Sequence, residues 1–350
     1  MLLGEHAVLH GRRALVCAIN KRITVALTLV NTPVLRIVSY LGNYEAPLGD
    51  LTDHPDFRFV LDAVKQYPLE QGIELKIESE FSSDIGFGSS AAVTVATHAA
   101  LMKWVKTDLG AGVTGETACR GIVGQASLYP ESLCSSHAPG YDNHVLQERA
   151  SYDLALFKRS LATILRVQGC GSGADVAASV FGGVVAYRAE PLEICKVEQA
   201  SRLLSVHGRS DEDGKRAGRS FYFPLTAVYS GSKMKTADVI RLVEERRALN
   251  PDYFERIFDR MDASVGEVIS DFQSLGKKLV ENQFLMEEMG LCNTALAEII
   301  SKFQSLEVPA KISGSGLGDC AIGLGKFPAS EQYPSYSLNV CADGCLYAMS

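Results

Sequence analysis

Hydrophobic positions along the chain follow two periods. Alternation at every second residue marks 23–30, 34–38 and 73–77 as strands with one buried face. Shorter apolar runs at 184–187, 226–230, 310–312 and 321–324 read as further strands, and Leu2 and Leu3 as the end of another. A last strand pair is expected within 336–348, turning near Asp343 and Gly344. Helical periodicity marks 57–64, 114–128, 237–249, 254–279 and 284–303, and Asn250-Pro251 ends the third of these. The run 154–167 is apolar-rich and fits helix or strand. Residues 129–149, with Pro130, Ser135, Ser136, Pro139, Gly140, Asp142 and Asn143, read as an exposed loop or insertion, and 210–218 as a charged loop. Strands and helices are mixed without a regular βαβ repeat, so the expected class is α+β. The composition shifts near Ala189 to Pro191. That divides the chain into 1–189 and 190–350.

With 350 residues, 47% of them apolar and 21% charged, the chain has ample material for buried cores. Its net charge of −7 argues against nonspecific binding to nucleic acid or to acidic membranes. No apolar run reaches membrane-spanning length, and the opening residues carry no signal-peptide pattern. The nine cysteines are scattered and include no C-x-x-C pair, which fits reduced thiols in a cytoplasm.

The most informative stretch runs from Asp84 to Met102, D-I-G-F-G-S-S-A-A-V-T-V-A-T-H-A-A-L-M. Gly86 and Gly88 permit backbone angles and close approaches closed to other residues. Ser89 or Ser90 can cap the helix that Ala91, Ala92, Ala96, Ala99 and Ala100 propagate. The free amides and dipole of such a helix start suit a phosphate. No Lys follows the glycines, which excludes the P-loop NTPase pattern. Glycine-rich turns recur at Gly169 to Gly173 and at Gly314 to Gly318. Read alone, Asp175 is an ordinary cap for a helix through Val176, Ala177 and Ala178, His6 a hydrogen-bonded turn histidine, and Lys233 a surface charge.

Together with G-E-H-A-V-L-H-G at Gly4 to Gly11, the three turns resemble the GHMP kinase superfamily, in its mevalonate kinase and phosphomevalonate kinase branch. The resemblance runs from Met1 to about Leu324. It implies a two-domain GHMP kinase fold, with a ribosomal protein S5 domain 2-like N-terminal domain and a ferredoxin-like C-terminal domain. It implies ATP and Mg²⁺ as cofactors. Gly86, Phe87, Gly88, Ser89, Ser90 and Ala91 would wrap the ATP phosphates, with Ser90 on the metal. Asp175 would be the catalytic aspartate that accepts the proton of the substrate hydroxyl. Glu5, His6, Gly173, Ser232, Gly314, Ser315 and Gly316 would line the acceptor site, and Lys233 would approach from the same side. The implied reaction is ATP-dependent phosphorylation of mevalonate to 5-phosphomevalonate, with 5-phosphomevalonate as the alternative acceptor. Arg12, Arg13, Lys21 and Arg22 could then clamp the extra phosphate, or serve only as solvated surface charge. The resemblance also allows a homodimer.

Two departures accompany it. Five residues before Gly4, where the family carries a lysine, counts to position −1; Met1 being an internal methionine would explain that. Eleven residues before Asp175, where mevalonate kinases carry a metal-binding glutamate, stands Ile164. Gln168-Gly169 and G-L-G-D-C at Gly316 to Cys320 lean toward phosphomevalonate kinases. Two rival readings remain at this point. Gly169-x-Gly171-x-x-Ala174 satisfies the Rossmann fingerprint and follows an apolar segment, with Glu190 downstream. A degenerate, ligand-binding member of the superfamily would account for the missing lysine and glutamate.

Overall fold

The computed structural model describes residues 1–82, 85–108, 117–120, 143–203 and 220–346. In chain order the first elements are β1 (Ala14–Cys17), β2 (Ile23–Val30), β3 (Val34–Ser39), β4 (Gly42–Pro47), α1 (Arg58–Val64), β5 (Gly72–Ser79) and α2 (Ser89–Asp108). Then come β6 (Thr117–Arg120), α3 (Asn143–Gln168), α4 (Ala174–Phe181), β7 (Val184–Arg188), β8 (Glu193–Lys196) and α5 (Glu198–Leu203). The remainder is β9 (Ser220–Tyr229), α6 (Thr236–Leu249), α7 (Pro251–Ser270), α8 (Leu275–Glu288), α9 (Thr294–Ser305), β10 (Ala310–Ser313), β11 (Cys320–Gly323) and β12 (Ser335–Cys341). These elements form two compact units, neither continuous in sequence: Met1–Asn20, Asp84–Phe87 and Gly183–Ala342 make one, and Lys21–Ser83, Gly88–Gly182 and Asp343–Ser350 the other.

The second unit is built on a five-stranded sheet in the order β4-β3-β5-β2-β6, antiparallel except for the parallel β3–β5 pair. Alternation sets its register, since Ile23, Val25 and Leu27 are buried while Thr24 and Ala26 are not. Leu35, Ile37, Ile73 and Leu75 continue that face, and Phe57 at the N-cap of α1, Val60 of α1, and Ala96 and Trp104 of α2 close over it. Small residues let α2 pack closely, with Ala91, Ala96, Ala99 and Ala100 all buried.

In the other unit, β1, β7 and β8 form a three-stranded antiparallel sheet, and a four-stranded antiparallel sheet runs β10-β11-β9-β12. That second order is the one expected of a ferredoxin-like sheet. Phe254, Ile257, Phe258, Met261, Val265 and Val268 form a buried stripe along α7 at helical spacing.

Several expected elements are corrected. The ambiguous run 154–167 lies in α3, whose Leu156, Ser160, Thr163 and Ile164 are buried at helical spacing. Residues 143–149, expected as loop, are the start of the same helix, and Arg149 pairs with Asp153 one turn on at 3.1 Å. The rest of that expected loop, 129–142, lies outside the described residues, as do 210–218. In place of a helix over 114–128, Thr117–Arg120 is a strand along β2; the flanking residues lie outside those described. An available strand edge overrides a weak helical pattern there. The long helix expected over 254–279 is broken at Asp271, whose carboxylate accepts from the Gln273 amide at 3.1 Å. The helix expected over 284–303 breaks at Gly290, φ 73°, and restarts where Asn293 caps the Leu296 amide at 3.0 Å. No return strand follows β12 among the described residues. It pairs instead with β9, more than a hundred residues earlier, from Ser335 opposite Val228 to Cys341 opposite Ser220.

His98 of α2 is fully buried between the Tyr67 hydroxyl, 2.9 Å from Nδ1, and the Thr163 hydroxyl, 3.0 Å from Nε2. Burial first, then the nearby Arg159 charge, pushes its pKa down from 6.5 to about 4. Arg166 acts in the same direction and Asp62 against it. The unfolded chain therefore takes up this proton first, so stability conferred by neutral His98 is lost as pH falls from 6.5 toward 4. The loss reaches about 2 kcal/mol at pH 5. His98→Gln is expected to flatten the fall of the urea midpoint between pH 7 and pH 5; an unchanged slope would assign it to other groups.

Candidate active site

Helix α2 starts at Ser89, directly after the first glycine-rich turn. Gly88 supplies its first carbonyl, which accepts from the Ala92 amide at 3.0 Å. The first turn holds no acidic side chain, so nothing in it offsets the positive end of the dipole. Ser89 and Ser90 are half-buried there, and the Thr94 hydroxyl donates to the Ser90 carbonyl at 2.6 Å. Ala91 is buried. The chain passes from one unit to the other between Phe87 and Gly88. Gly86 and Phe87 are therefore described with the first unit, and Gly88 to Ala91 with the second.

In the second unit the helix start faces Asp175. Gly173, at φ 83°, occupies the N-cap of α4, and Asp175 sits in its first turn without a capping hydrogen bond. The plain reading of Asp175 as a cap is thereby corrected: a left-handed glycine takes the cap, and the carboxylate stays available. Ala174, Val176 and Ala177 are buried while Asp175 is exposed. A Cβ on Gly88 would lie 3.6 Å from Asp175 Cγ and 3.8 Å from Oδ2. Ser90 lies two residues along α2 from that contact. Ile164 is core, its Cγ2 3.3 Å from where a Gly171 Cβ would be, and offers no metal ligand. The turn from Gly169 to Gly173 follows helix α3, not a strand, so the Rossmann reading lacks the context it requires.

In the first unit the opening turn and the third glycine-rich turn are joined. His6 adopts φ 60°, and its Nε2 lies 2.8 Å from the Ser315 carbonyl. A carbonyl only accepts, so Nε2 carries the hydrogen and donates. Burial lowers the His6 pKa below 6.5, outweighing the Ser315 hydrogen bond and the Glu5 charge, which raise it. Glu5 is only 2% exposed. Its Oε1 accepts from the Lys311 ammonium, and its Oε2 from Asn282 Nδ2 at 3.1 Å. Gly314 has open space where a side chain would be, whereas a Cβ on Gly316 would meet Leu291 at 2.8 Å.

The third turn also reaches Gly86. Asp319, at φ 67°, places its carboxylate where a Gly86 side chain would stand. A Cβ there would be 1.8 Å from Oδ1, and φ 69° at Gly86 is itself a glycine conformation. The Cys320 thiol donates to the Ile85 carbonyl at 3.1 Å. The Asp319 amide donates to the Ser232 carbonyl at 2.6 Å, and Lys233 Nζ lies 3.6 Å from Asp319 Oδ2. Phe87 packs edge-on to Tyr336, ring centres 5.6 Å apart. Arg12 bonds to Glu255 and Asp259, and Arg13 to Asp262, so both are engaged by carboxylates of α7.

The sequence-derived residues thus fall into two groups. Gly88, Ser89, Ser90, Ala91, Gly173 and Asp175 belong to one unit. Glu5, His6, Gly86, Phe87, Ser232, Gly314, Ser315 and Gly316 belong to the other. Sequence reasoning passed over Lys311, Asn282 and Asp319. A lysine inside the buried run of β10 was the one local signal available for the first. The other two become visible only through partners far along the chain.

Comparison with known proteins bears on the family and the fold. The family described as GHMP kinases N terminal domain matches residues 57–120, and that described as GHMP kinases C terminal matches residues 261–333. The chain is 29% identical over 331 residues to the mevalonate kinase of Archaeoglobus fulgidus, covering 93% of this chain and 89% of that protein. The crystal structure of Methanococcus jannaschii mevalonate kinase superposes with a TM-score of 0.68 at 17% identity, covering 97% of this chain and 95% of that one. Streptococcus pneumoniae phosphomevalonate kinase, in complex with phosphomevalonate and AMPPNP, gives a TM-score of 0.59 at 18% identity, covering 94% and 90%. Both GHMP kinase domain families are thus matched in chain order, and the fold is shared with a solved mevalonate kinase across nearly the full length of the chain.

Proposed function

We propose that this chain transfers the γ-phosphoryl group of ATP to mevalonate, giving 5-phosphomevalonate. The observation that carries the reading is the meeting, inside one unit, of an exposed carboxylate at Asp175 with the bare Gly88 backbone at the start of α2. That pairing sets a proton acceptor beside an anion-binding helix end, the two elements phosphoryl transfer needs. The near full-length similarity to an archaeal mevalonate kinase supports mevalonate as the acceptor.

In this reading the α2 amides and Gly88 hold the phosphates in line with the acceptor. Asp175 accepts the proton from the attacking hydroxyl at a carboxylate oxygen. His6 and the turn from Gly314 to Gly316 contribute to the acceptor subsite. The donor set fits Mg²⁺, which takes few protein oxygens and otherwise keeps water and phosphate oxygens. Ser90, at the helix start, would hold it, and the ion would neutralise phosphate charge. The division at 189/190 is proposed with this function, since the two family segments fall on either side of it. The seven cysteines whose side chains are described are free thiols, and no described helix is long and apolar enough to cross a membrane. The free thiols support a reducing compartment such as the cytoplasm.

An ADP-release assay with mevalonate and 5-phosphomevalonate side by side is expected to give turnover with mevalonate. Turnover with phosphomevalonate alone would overturn the choice of acceptor. Asp175→Asn is expected to lower kcat by about 10²–10⁴ while ATP still binds; a near-normal kcat would remove Asp175 from its role. Ser90→Ala is expected to raise the Mg²⁺ concentration needed for half-maximal rate at least several-fold, with little change in acceptor KM. An unchanged Mg²⁺ requirement would rule out the serine as a ligand.

A further inference from the structure

Lys311 is the most conspicuous buried group in the first unit that the proposed reaction does not use. It has no exposed surface, and its ammonium donates to Glu5 Oε1 and to the Ile312 carbonyl. Its pKa is lowered, chiefly by burial, with Glu5 opposing. The contacts continue outward. Asn282 of α8 donates to Glu5 Oε2 at 3.1 Å and accepts from the Gly4 amide at 3.3 Å. Gln283 beside it accepts from the Ile312 amide at 2.7 Å. One buried polar network therefore ties α8 and β10 to the opening turn, and His6 carries it on to the Ser315 carbonyl.

Taking two charges out of water is costly, and apolar replacements of a buried pair are often neutral or stabilising. A buried pair is thus poor evidence of a stability role. What it does supply is direction: with both carboxylate oxygens occupied, Glu5 has one orientation, and the backbone carrying it has one as well. The next residue is His6, whose φ of 60° is a strained backbone conformation for a residue with a side chain and must be enforced by its surroundings.

We infer that Lys311 is a positioning residue for the acceptor subsite: through Glu5 it fixes the opening turn so that the His6 imidazole is held at the Ser315 carbonyl. This rests on the acceptor role proposed above for His6 and the third turn. Glu5 then serves as an internal strut of the subsite and makes no contact with the acceptor.

The test compares Lys311→Met, Glu5→Gln and the double variant Glu5→Gln/Lys311→Met. Lys311→Met leaves a buried carboxylate without its cation and is expected to lower the melting temperature; the double variant leaves no charge and is expected to recover it. Acceptor KM is expected to rise at least tenfold in Lys311→Met and to stay raised in the double variant, with ATP KM within twofold throughout. A purely structural role would restore acceptor KM together with melting temperature, and that result would overturn the inference. So would an acceptor KM within twofold of wild type in the double variant, which carries the test should Lys311→Met fail to fold. Hydrogen exchange reads the same wiring without turnover. Amides of residues 4–9 are expected to exchange faster in the double variant while those of 23–30 do not, and unchanged exchange at 4–9 would overturn the inference. A wild-type enzyme inactive toward mevalonate would instead refute the functional reading, and exchange would still decide the role of Lys311.

Discussion

The constraint at the first glycine-rich turn is the absence of side chains at Gly86 and Gly88. At Gly86 the Asp319 carboxylate occupies the place of a side chain, and Gly88 lies next to the Asp175 carboxylate. A Cβ at Gly86 would overlap the Asp319 carboxylate, while one at Gly88 would make ordinary van der Waals contact with Asp175. Both residues also hold left-handed backbone angles, so geometry favours glycine at each and space demands it at Gly86 as well. The turn ends where α2 begins, and its unpaired amides point out of a helix start with no acid in its first turn. Within the second unit, bare backbone at Gly88, the positive end of the α2 dipole and the Asp175 carboxylate are thereby brought together.

Two ways of holding a carboxylate are seen. Asp175 is exposed in the first turn of its helix, flanked by buried alanine and valine, and is presented by the helix it sits on. Glu5 is buried and held by Lys311 and Asn282. The first arrangement suits a group that must exchange a proton with a visiting molecule. The second suits one whose task is to keep a turn in place, because both of its oxygens are already occupied. A sequence shows both simply as acidic residues next to glycine-rich motifs.

Local elements were legible wherever periodicity and packing agree. Strand β2 spans 23–30 as the alternation indicates, and α6 ends at the Asn250-Pro251 signal. Legibility failed where a distant partner chose the conformation. Residues 117–120 are a strand because β2 offers an edge, and β12 pairs with β9 instead of turning back on itself. The run 154–167 could not be assigned from composition, because an apolar-rich stretch fits either period; burial at 156, 160, 163 and 164 decides for helix. That decision also removes the strand a dinucleotide fingerprint at Gly169 needs.

By itself the sequence determined the glycine positions, the phosphate-suited helix start, the aspartate after the middle turn and, by resemblance, the kinase family. These are properties of short segments, fixed by backbone freedom, helix propensity and motif spacing. Tertiary structure alone decided that Asp175 faces Gly88, that Asp319 lies against Gly86, and that Glu5 turns inward to Lys311 across 306 residues. The physical reason is that burial and hydrogen-bond satisfaction are settled by neighbours in space. For a charged residue in a turn, those neighbours are supplied by chain folded hundreds of residues away.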